Sequence, residues 1–588
     1  MIRCKSRILA CLAAALVTGL YAAAAWHNAF VYDDHEVIEN QFPLHSWQDL
    51  SEIFREPHYL NFPYYRPITR STFAIQRAIS GNNPRPYHLF NALLAGLATL
   101  AAYGLLRQRI FALTPPAALL AALWFSLHPA MSECVYPAAS GRETLLANLL
   151  MLLSTWAYLH PSIPSPRYPG ERARVRGSTP NSPSSPPHPT DAWKGAATYS
   201  LAMFFFAAAL LAKEQAAVLP AIFILADLLL QKPRSHRLLR YLPPFILLAG
   251  YFLLRHLIFQ SPTLNWDIQN HPFAPLLSLL YGLQTAIAPF TTLHYEPPLH
   301  VWLDPPLTTT CLIVLTLLCV WIARSKSPIP RIALFWLGWF ILMQLPTAHI
   351  FRQEAPYSER YVALALLAVA GSGAMLIQNL KRPLARYSAA AVAVLWIAGL
   401  GFVSVLRASS YTDDTSFALQ WLNTNPESAG AHNGLGLVAQ SEHKPSVAID
   451  QYTQALELDP DSKTAHNNLA NLLADRNDYA AAAVHYRWLL TQNAEDVSAL
   501  VNYAHMLGQQ AYAQHNPALR DQAHAILIDA INLRPNYAQA HYILAIWNET
   551  FSTRDSAIAE FQKALALRPD LPGARDRLNA LLSLTSRP

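Results

Sequence analysis

Two adjacent aspartates, Asp33 and Asp34, follow an apolar stretch of membrane-spanning length near residues 8–26. Neighbouring carboxylates raise one another's pKa, and nearby hydrocarbon removes part of their hydration, so this placement carries a cost that folding alone does not require. A carboxylate placed here can take the proton from an acceptor hydroxyl, which is general base catalysis. The simpler interpretation is an Asx-rich turn after a helix.

Further charged residues stand in short segments between apolar runs. They are Tyr65 and Arg66 in "YYRPITR", Glu133, Arg142 and Glu143 in "HPAMSECVYPAASGRET", Lys213 and Glu214 in "LLAKEQ", His294 and Tyr295, and Glu359 and Arg360 in "PYSERYVALA". Arginine and lysine can stabilise the negative charge that develops on a phosphate leaving group. Taken together, these residues predict group transfer from a lipid-linked phosphate; taken singly, each could belong to an interfacial ion pair.

The elements that position these residues are predicted to be membrane helices over residues 1–410. The chain of 588 residues is 53% hydrophobic and only 14% charged, whereas soluble proteins carry about 25% charged residues. Apolar runs of spanning length lie near 8–26, 88–106, 116–131, 143–159, 196–212, 216–231, 241–259, 274–291, 306–323, 332–349, 361–378 and 387–406. Sequence alone therefore predicts a polytopic, all-α membrane domain.

Basic clusters between the runs indicate orientation. Arg3, Lys5 and Arg7 precede the first run and predict a cytoplasmic N-terminus, which places Asp33 outside. The later clusters cannot all be cytoplasmic if every run spans, so one segment between 241 and 306 is expected to be re-entrant or interfacial. About eleven spans and an external C-terminal domain follow from this reasoning. Cleavage of the first run as a signal peptide stays open.

Several function classes are disfavoured. The net charge of +6 lies in short clusters between apolar runs rather than in a stripe, so nucleic-acid binding is not expected. The five cysteines have no metal-ligand spacing, so neither a disulfide framework nor a zinc site is expected. No metal and no cofactor is predicted. The Pro-, Ser- and Arg-rich segment 162–191 predicts a disordered cytoplasmic insertion.

Residues 411–588 contain repeats. The triplet Ala431-His432-Asn433 recurs as Ala465-His466-Asn467, a spacing of 34 residues, and prolines close the units. Small residues, a buried aromatic and a terminal proline at these positions predict tetratricopeptide repeats that stack into a superhelix with one concave face. Four asparagines are expected on that face as ligands for the backbone of an acceptor peptide, or simply as solvent-facing polar residues: Asn433, Asn467, Asn468 and Asn502.

The ordered motifs resemble a known family. The segments "VYDDHEVIEN", "YYRPITRSTF", "PYHLFNALLAGLA", "LHPAMSECVYPAASGRETLLANL", "LLAKEQ" and "SERYVAL" precede the repeats in that order. This layout is similar to that of the transmembrane and tetratricopeptide repeat-containing O-mannosyltransferases and their bacterial relatives. The "GRE" motif and the Pro-rich insertion depart from the family pattern.

The resemblance implies a type C (GT-C) glycosyltransferase that inverts at the anomeric carbon and uses a polyprenyl-phosphate sugar as donor. It implies that Asp33 and Asp34 carry the base, while Arg142, Lys213 and Arg360 are expected to bind the donor phosphate. Tyr65, Arg66 and the four glutamates above would support them. The acceptor would be a protein or glycan hydroxyl in the periplasm of a bacterium, with mannose one candidate sugar. A non-catalytic scaffold for envelope or exopolysaccharide assembly, and a lipid flippase or polymerase, are the alternatives.

Overall fold

The computed structural model describes residues 2–39, 64–160, 189–230, 237–259, 274–289, 329–348, 358–568 and 571–583, together with 51, 53–55, 313 and 316. These residues form an all-α fold. The helices that precede the repeats are α1 (Ile2–Ala24), α2 (Pro67–Ser80), α3 (Pro84–Leu106), α4 (Pro115–Leu127), α5 (Pro129–Val135), α6 (Ala138–Leu159), α7 (Pro189–Ala212), α8 (Leu219–Leu229), α9 (Arg237–Phe259), α10 (Ala274–Ile287), α11 (Ile329–Gln344), α12 (Leu366–Gln378) and α13 (Pro383–Leu406).

Small residues bring α3 close to α1. A Cβ atom added to Gly96 would lie 2.1 Å from Thr18 Oγ1 and 2.8 Å from the carbonyl oxygen of Ala14, so even alanine would clash there. Such close approach is how helices associate where lipid removes the hydrophobic drive. The same pairing brings the start of α3 to the segment after α1, where His88 Nε2 lies 3.1 Å from the Ala29 carbonyl oxygen.

The expectation of about eleven spans is wrong for the described residues. Four helical segments there are long and apolar enough to cross a membrane, and a pair of short helices bent by 60° could make a fifth. They are Ser6–Ala24, Pro84–Leu106, Leu239–Ile258 and Pro383–Tyr411, with Pro115–Leu127 and Pro129–Val135 as the bent pair.

The physical reason for the difference is that an apolar run need not be one helix. Helix α4 ends where His128 is extended before Pro129, because the residue before a proline avoids the helical region. Some apolar helices are too short to span, with 10–17 residues, as in Pro275–Ile287 and Leu366–Gln378. Most of the run 306–323, and nearly all of the insertion 162–191, lie outside the described residues.

The repeat prediction is confirmed. Helix α14 (Asp414–Thr424) leads into four antiparallel pairs and a final helix. These are α15 (Ala429–Ser441), α16 (Pro445–Leu458), α17 (Lys463–Asp475), α18 (Tyr479–Gln492), α19 (Val497–Gln514), α20 (Pro517–Leu533), α21 (Ala538–Phe551), α22 (Arg554–Leu567) and α23 (Ala574–Ser583). Gly436 is required in the first pair, since a Cβ atom there would lie 2.4 Å from the buried ring of Tyr452.

The recurring histidines bind the carbonyl oxygens of the recurring prolines. The Nε2 atoms of His432, His466 and His541 lie 3.3, 3.0 and 2.8 Å from the carbonyl oxygens of Pro426, Pro460 and Pro535. Each histidine on a first helix thus satisfies a carbonyl left open where the preceding unit ends. The histidine of each "AH" pair and the proline that ends the preceding unit therefore form one hydrogen-bonded contact.

Helix α14 packs on the membrane part of the chain. Phe417 and Trp421 belong to the same buried core as α1, α3 and α6, together with Tyr411 just before α14. The backbone N–H of Ala29 donates to the Thr412 carbonyl oxygen at 3.0 Å. The segment after α1 and the start of the repeats consequently lie on the same side of any membrane that α1 crosses.

The contact between α14 and the segment after α1 extends the predicted topology to the repeats. Because the basic N-terminus predicts a cytoplasmic start for α1, Asp33 and the repeats should both be outside. A reporter that is active only outside the cytoplasm should be on when fused after Pro588 and off when fused near Ser184. The reversed pattern would contradict the shared external position.

Candidate active site

The N-terminus of α6 holds Asp34. The Asp34 carboxylate accepts hydrogen bonds from the backbone N–H groups of Ala139 at 2.6 Å, Ala138 at 3.1 Å and Val31 at 3.1 Å. The side chain is completely buried. Burial raises the pKa of Asp34 to about 6, while the three N–H groups favour the ionised form. Asp34 thus caps α6 across more than 100 residues of sequence, which is a structural task.

Asp33 lies in a different environment from its neighbour. It precedes a short π-helix, His35–Glu39, and its side chain is only partly buried. Asp34 is bound to the amides of α6, whereas the side chain of Asp33 is not fully buried. Adjacent position in sequence therefore does not mean an equivalent role.

The second turn of α6 anchors a network of buried charges. Glu143 forms an ion pair with Arg66 and lies 3.3 Å from Lys213 Nζ. Lys213 also donates to Thr144 Oγ1 at 2.8 Å, and Arg66 Nε donates to Glu214 at 2.9 Å. Two cations and two carboxylates from three elements therefore compensate one another, as buried charges must.

Arg142 is enclosed between helices. Its guanidinium donates to Asn91 Oδ1 at 3.1 Å and to the Tyr87 carbonyl oxygen at 3.2 Å. The same group lies 4.4 Å from the centre of the Phe73 ring and 4.7 Å from that of Phe90. The side chain joins α2, α3 and α6 and is completely buried. A donor-phosphate role for Arg142 stays a prediction.

Arg360 is a further member of the layer of buried charges around the start of α6. Its Nη1 donates to Ser140 Oγ at 2.9 Å and lies 3.9 Å from Glu133. The buried Glu133 carboxylate also accepts from the Arg360 backbone N–H at 3.0 Å and from the Ser358 hydroxyl. Ser140 is on the first turn of α6, so Arg360 completes the set of partners that gather on this helix.

Three contributors were not anticipated from sequence. Arg407, just after α13, binds Glu359 through two hydrogen bonds of 2.5 and 3.2 Å and donates to the Pro129 carbonyl oxygen at 3.1 Å. Asn91 donates to the carbonyl oxygens of the 135–138 segment that precedes α6. A third, Asp414, belongs to α14. In the sequence, Arg407 is a basic residue at the end of the last apolar run and Asn91 is an amide within an apolar run. Both features could have marked these residues as candidates.

The remaining predicted residues are Tyr65, His294 and Tyr295. Tyr65 is buried, and its hydroxyl donates to the Phe54 carbonyl oxygen at 2.9 Å. His294 and Tyr295 lie outside the described residues. Among the residues that the structure describes, no group of three or more histidine, cysteine, aspartate or glutamate side chains is placed to hold a metal ion.

The four asparagines form a ladder between repeats. Asn468 Nδ2 donates to Asn433 Oδ1 at 3.0 Å, and Asn502 Nδ2 donates to Asn467 Oδ1 at 3.0 Å. Asn433 is buried, and the other three are half-buried. Each pair links the first helices of neighbouring repeats and still leaves one amide oxygen and further N–H groups for other partners. Contact with an acceptor peptide stays a prediction.

No family model matches the chain. Among curated proteins, human Protein O-mannosyl-transferase TMTC4 is 34% identical over 168 residues, which is 25% of this chain and 22% of the human protein. Mouse TMTC3 is 29% identical over 153 residues, covering 24% and 16%. The chain therefore matches only about a fifth of these relatives' length, and the matched part is their repeat region.

Solved structures match the repeats alone. The thermophilic TPR protein TTC0263 of Thermus thermophilus covers 27% of this chain and 84% of its own, with 22% identity and a TM-score of 0.26. YrrB, titled a TPR protein with an unusual peptide-binding site, covers 32% and 91%, with 19% identity and a TM-score of 0.23.

The different settings of the two aspartates predict different effects on stability. In Asp34→Asn, the amide nitrogen cannot accept from an N–H group, so the variant should lose about 1.5–3 kcal/mol, the contribution of a hydrogen bond to a charged group. Asp33→Asn should lose less stability, because the side chain of Asp33 is not fully buried whereas that of Asp34 is. Thermal unfolding of the purified proteins in detergent measures both. Equal losses would contradict a capping role confined to Asp34.

Proposed function

We propose that the protein is an integral-membrane glycosyltransferase that moves a sugar from a polyprenyl-phosphate donor to a protein or glycan hydroxyl on the periplasmic side. The observation that carries this proposal is the juxtaposition at the start of α6. The partly exposed Asp33 directly precedes Asp34, whose carboxylate binds the first amides of α6, and the first two turns of that helix bind Arg66, Lys213 and Arg360 through carboxylates and hydroxyls. The similarity to named O-mannosyltransferases covers their repeat region and supports a repeat domain of the kind those proteins carry.

The chemistry assigns a role to each group. The acceptor oxygen attacks the anomeric carbon, the bond from that carbon to the phosphate oxygen breaks, and the phosphate leaves with the electron pair. Asp33 takes the hydroxyl proton. Lys213 and Arg360 are the cations proposed to stabilise the departing phosphate, and Arg66 keeps Glu143 and Glu214 compensated beside them. A single displacement of this kind inverts the anomeric configuration.

A non-catalytic scaffold is the second candidate, because the similarity to curated proteins covers the repeats and not the membrane part. Helical repeats commonly bind other proteins. In a scaffold, the buried layer of arginine, lysine and glutamate would serve only to fix the arrangement of the helices, whereas in a transferase its cations also stabilise the leaving phosphate.

The decisive test is transfer by Asp33→Asn. We expect a loss of about 100-fold or more in the rate of transfer from a labelled polyprenyl-phosphate sugar, because general base help is removed. Asp529→Asn, an exposed aspartate on α20, is the matched control and should retain the wild-type rate. Equal rates for both variants would refute the catalytic assignment and leave the scaffold.

The repeats are proposed to present the acceptor along the asparagine ladder. Replacing both partners in Asn467→Ala with Asn502→Ala removes one interaction without leaving an unpaired half, so folding should change little. The KM for the acceptor should rise about 5-fold, the equivalent of about one hydrogen bond, with the KM for the donor unchanged. Exposed Asn532→Ala is the control. An unchanged acceptor KM would show that the ladder only joins repeats.

A further inference from the structure

The Asp414 carboxylate, on the first helix of the repeat domain, binds the segment that carries Asp33 and Asp34. Asp414 is the first residue of α14. Its Oδ1 accepts from the backbone N–H of Tyr32 at 2.9 Å, and its Oδ2 lies 3.0 Å from His35 Nε2. Tyr32 and His35 are the residues on either side of Asp33-Asp34, so a side chain almost 400 residues later bridges both ends of the pair.

The other support of this segment is α6. Asp34 is fixed by the amides of Ala138 and Ala139, as described above. The backbone from Tyr32 to His35 is therefore held on one side by the membrane helices and on the other by α14. Asp33, the proposed base, is the residue whose direction these two supports determine.

The backbone at Tyr32 shows how much this geometry depends on α14. Tyr32 has φ of 50°, in the left-handed region that residues with a Cβ seldom adopt. Its ring packs against two aromatic residues of α14, at 5.9 Å from the Phe417 ring centre and 5.6 Å from that of Trp421. Within the turn, the Val31 N–H donates to Asp34 Oδ2 at 3.1 Å and the Asp34 N–H donates to the Val31 carbonyl oxygen at 3.0 Å, and the contacts with α14 add to these local bonds.

The His35 contact is ionic. Its Nδ1 lies 2.7 Å from Glu39 Oε2 while its Nε2 faces Asp414, so both ring nitrogens must carry hydrogen to satisfy two carboxylates. The hydrogen bonds to Asp414 and Glu39 raise the pKa of His35 to about 10. The imidazolium therefore stays charged across the physiological range, and the bridge does not switch on or off with small changes in pH.

We propose that Asp414 is a positioning residue for Asp33, through which the first helix of the repeat domain sets the direction of the catalytic carboxylate. This inference rests on the proposed function, since it assigns Asp33 as the base. It adds a second task for the C-terminal part of the chain, distinct from holding the acceptor. The packing of α14 against the membrane helices thereby affects the kcat of transfer.

The test compares full-length variants in steady-state transfer from a polyprenyl-phosphate sugar. Asp414→Ala removes both contacts and should lower kcat by about 10-fold or more, with the KM of donor and acceptor unchanged. Asp414→Asn keeps one oxygen that can accept from the Tyr32 N–H, so it should lie between Asp414→Ala and wild type. Asp413→Ala is the matched control. Asp413 caps α14 through the Ser416 N–H at 2.7 Å, so its loss weakens the helix but spares the bridge.

A double-mutant cycle identifies the partner. If Asp414 acts through His35, then His35→Ala combined with Asp414→Ala should lower kcat no further than the more damaging single variant. The effects of Asp414→Ala and of the Asn467→Ala and Asn502→Ala pair on kcat/KM should instead be additive, since the two asparagines lie three and five helices further along the repeats.

Each other outcome overturns the inference. A wild-type kcat in Asp414→Ala would show that the bridge is dispensable, and a raised acceptor KM at constant kcat would assign α14 to acceptor binding. Equal losses in Asp413→Ala and Asp414→Ala, or failure of Asp414→Asn as well as Asp414→Ala to accumulate, would make the contact purely structural. Loss of the proposed function itself is distinguishable, because it requires full activity in Asp33→Asn.

Discussion

The structure of the candidate site depends on the open amides at the start of α6. A helix begins with backbone N–H groups that have no partner within the helix, and here the buried Asp34 carboxylate satisfies two of them. That bond fixes the segment after α1 against α6. The first two turns of the same helix carry Ser140, Arg142, Glu143 and Thr144, which bind partners from α3, from the ends of α2 and α7 and from the segment near 360.

Charge compensation then decides how the surrounding helices assemble. Each ion pair of this layer joins residues far apart in sequence, so none can be satisfied until its helices are in place. Removing one partner would leave the other buried and uncompensated, which is far more costly than losing a surface pair. The layer thus specifies one arrangement of short helices that hydrophobic packing alone would leave less well defined, since most of their apolar faces are alike.

The repeats and the segments that bear the charged residues were predictable because each has a local signal: the periodic small residues around Tyr452, and the charges of "GRE" and "KE" between apolar runs. Span count was not predictable, because hydropathy does not report where a helix breaks, as at His128 and Pro129. The different environments of Asp33 and Asp34 were not predictable either, because the amides of α6 that bind Asp34 lie a hundred residues away in the sequence. Arg407 and Asp414 were missed because their partners are equally distant.

The bridge from Asp414 to Tyr32 and His35 also has a consequence for biosynthesis. The segment around Asp33 is made before α14, which follows it by almost 400 residues. Since chains emerge N-terminus first, at roughly 5–20 residues per second, the turn lacks its second support for tens of seconds. A nascent or prematurely ended chain would therefore sit in the membrane with an incompletely shaped turn. Synthesis of α14 would complete the turn.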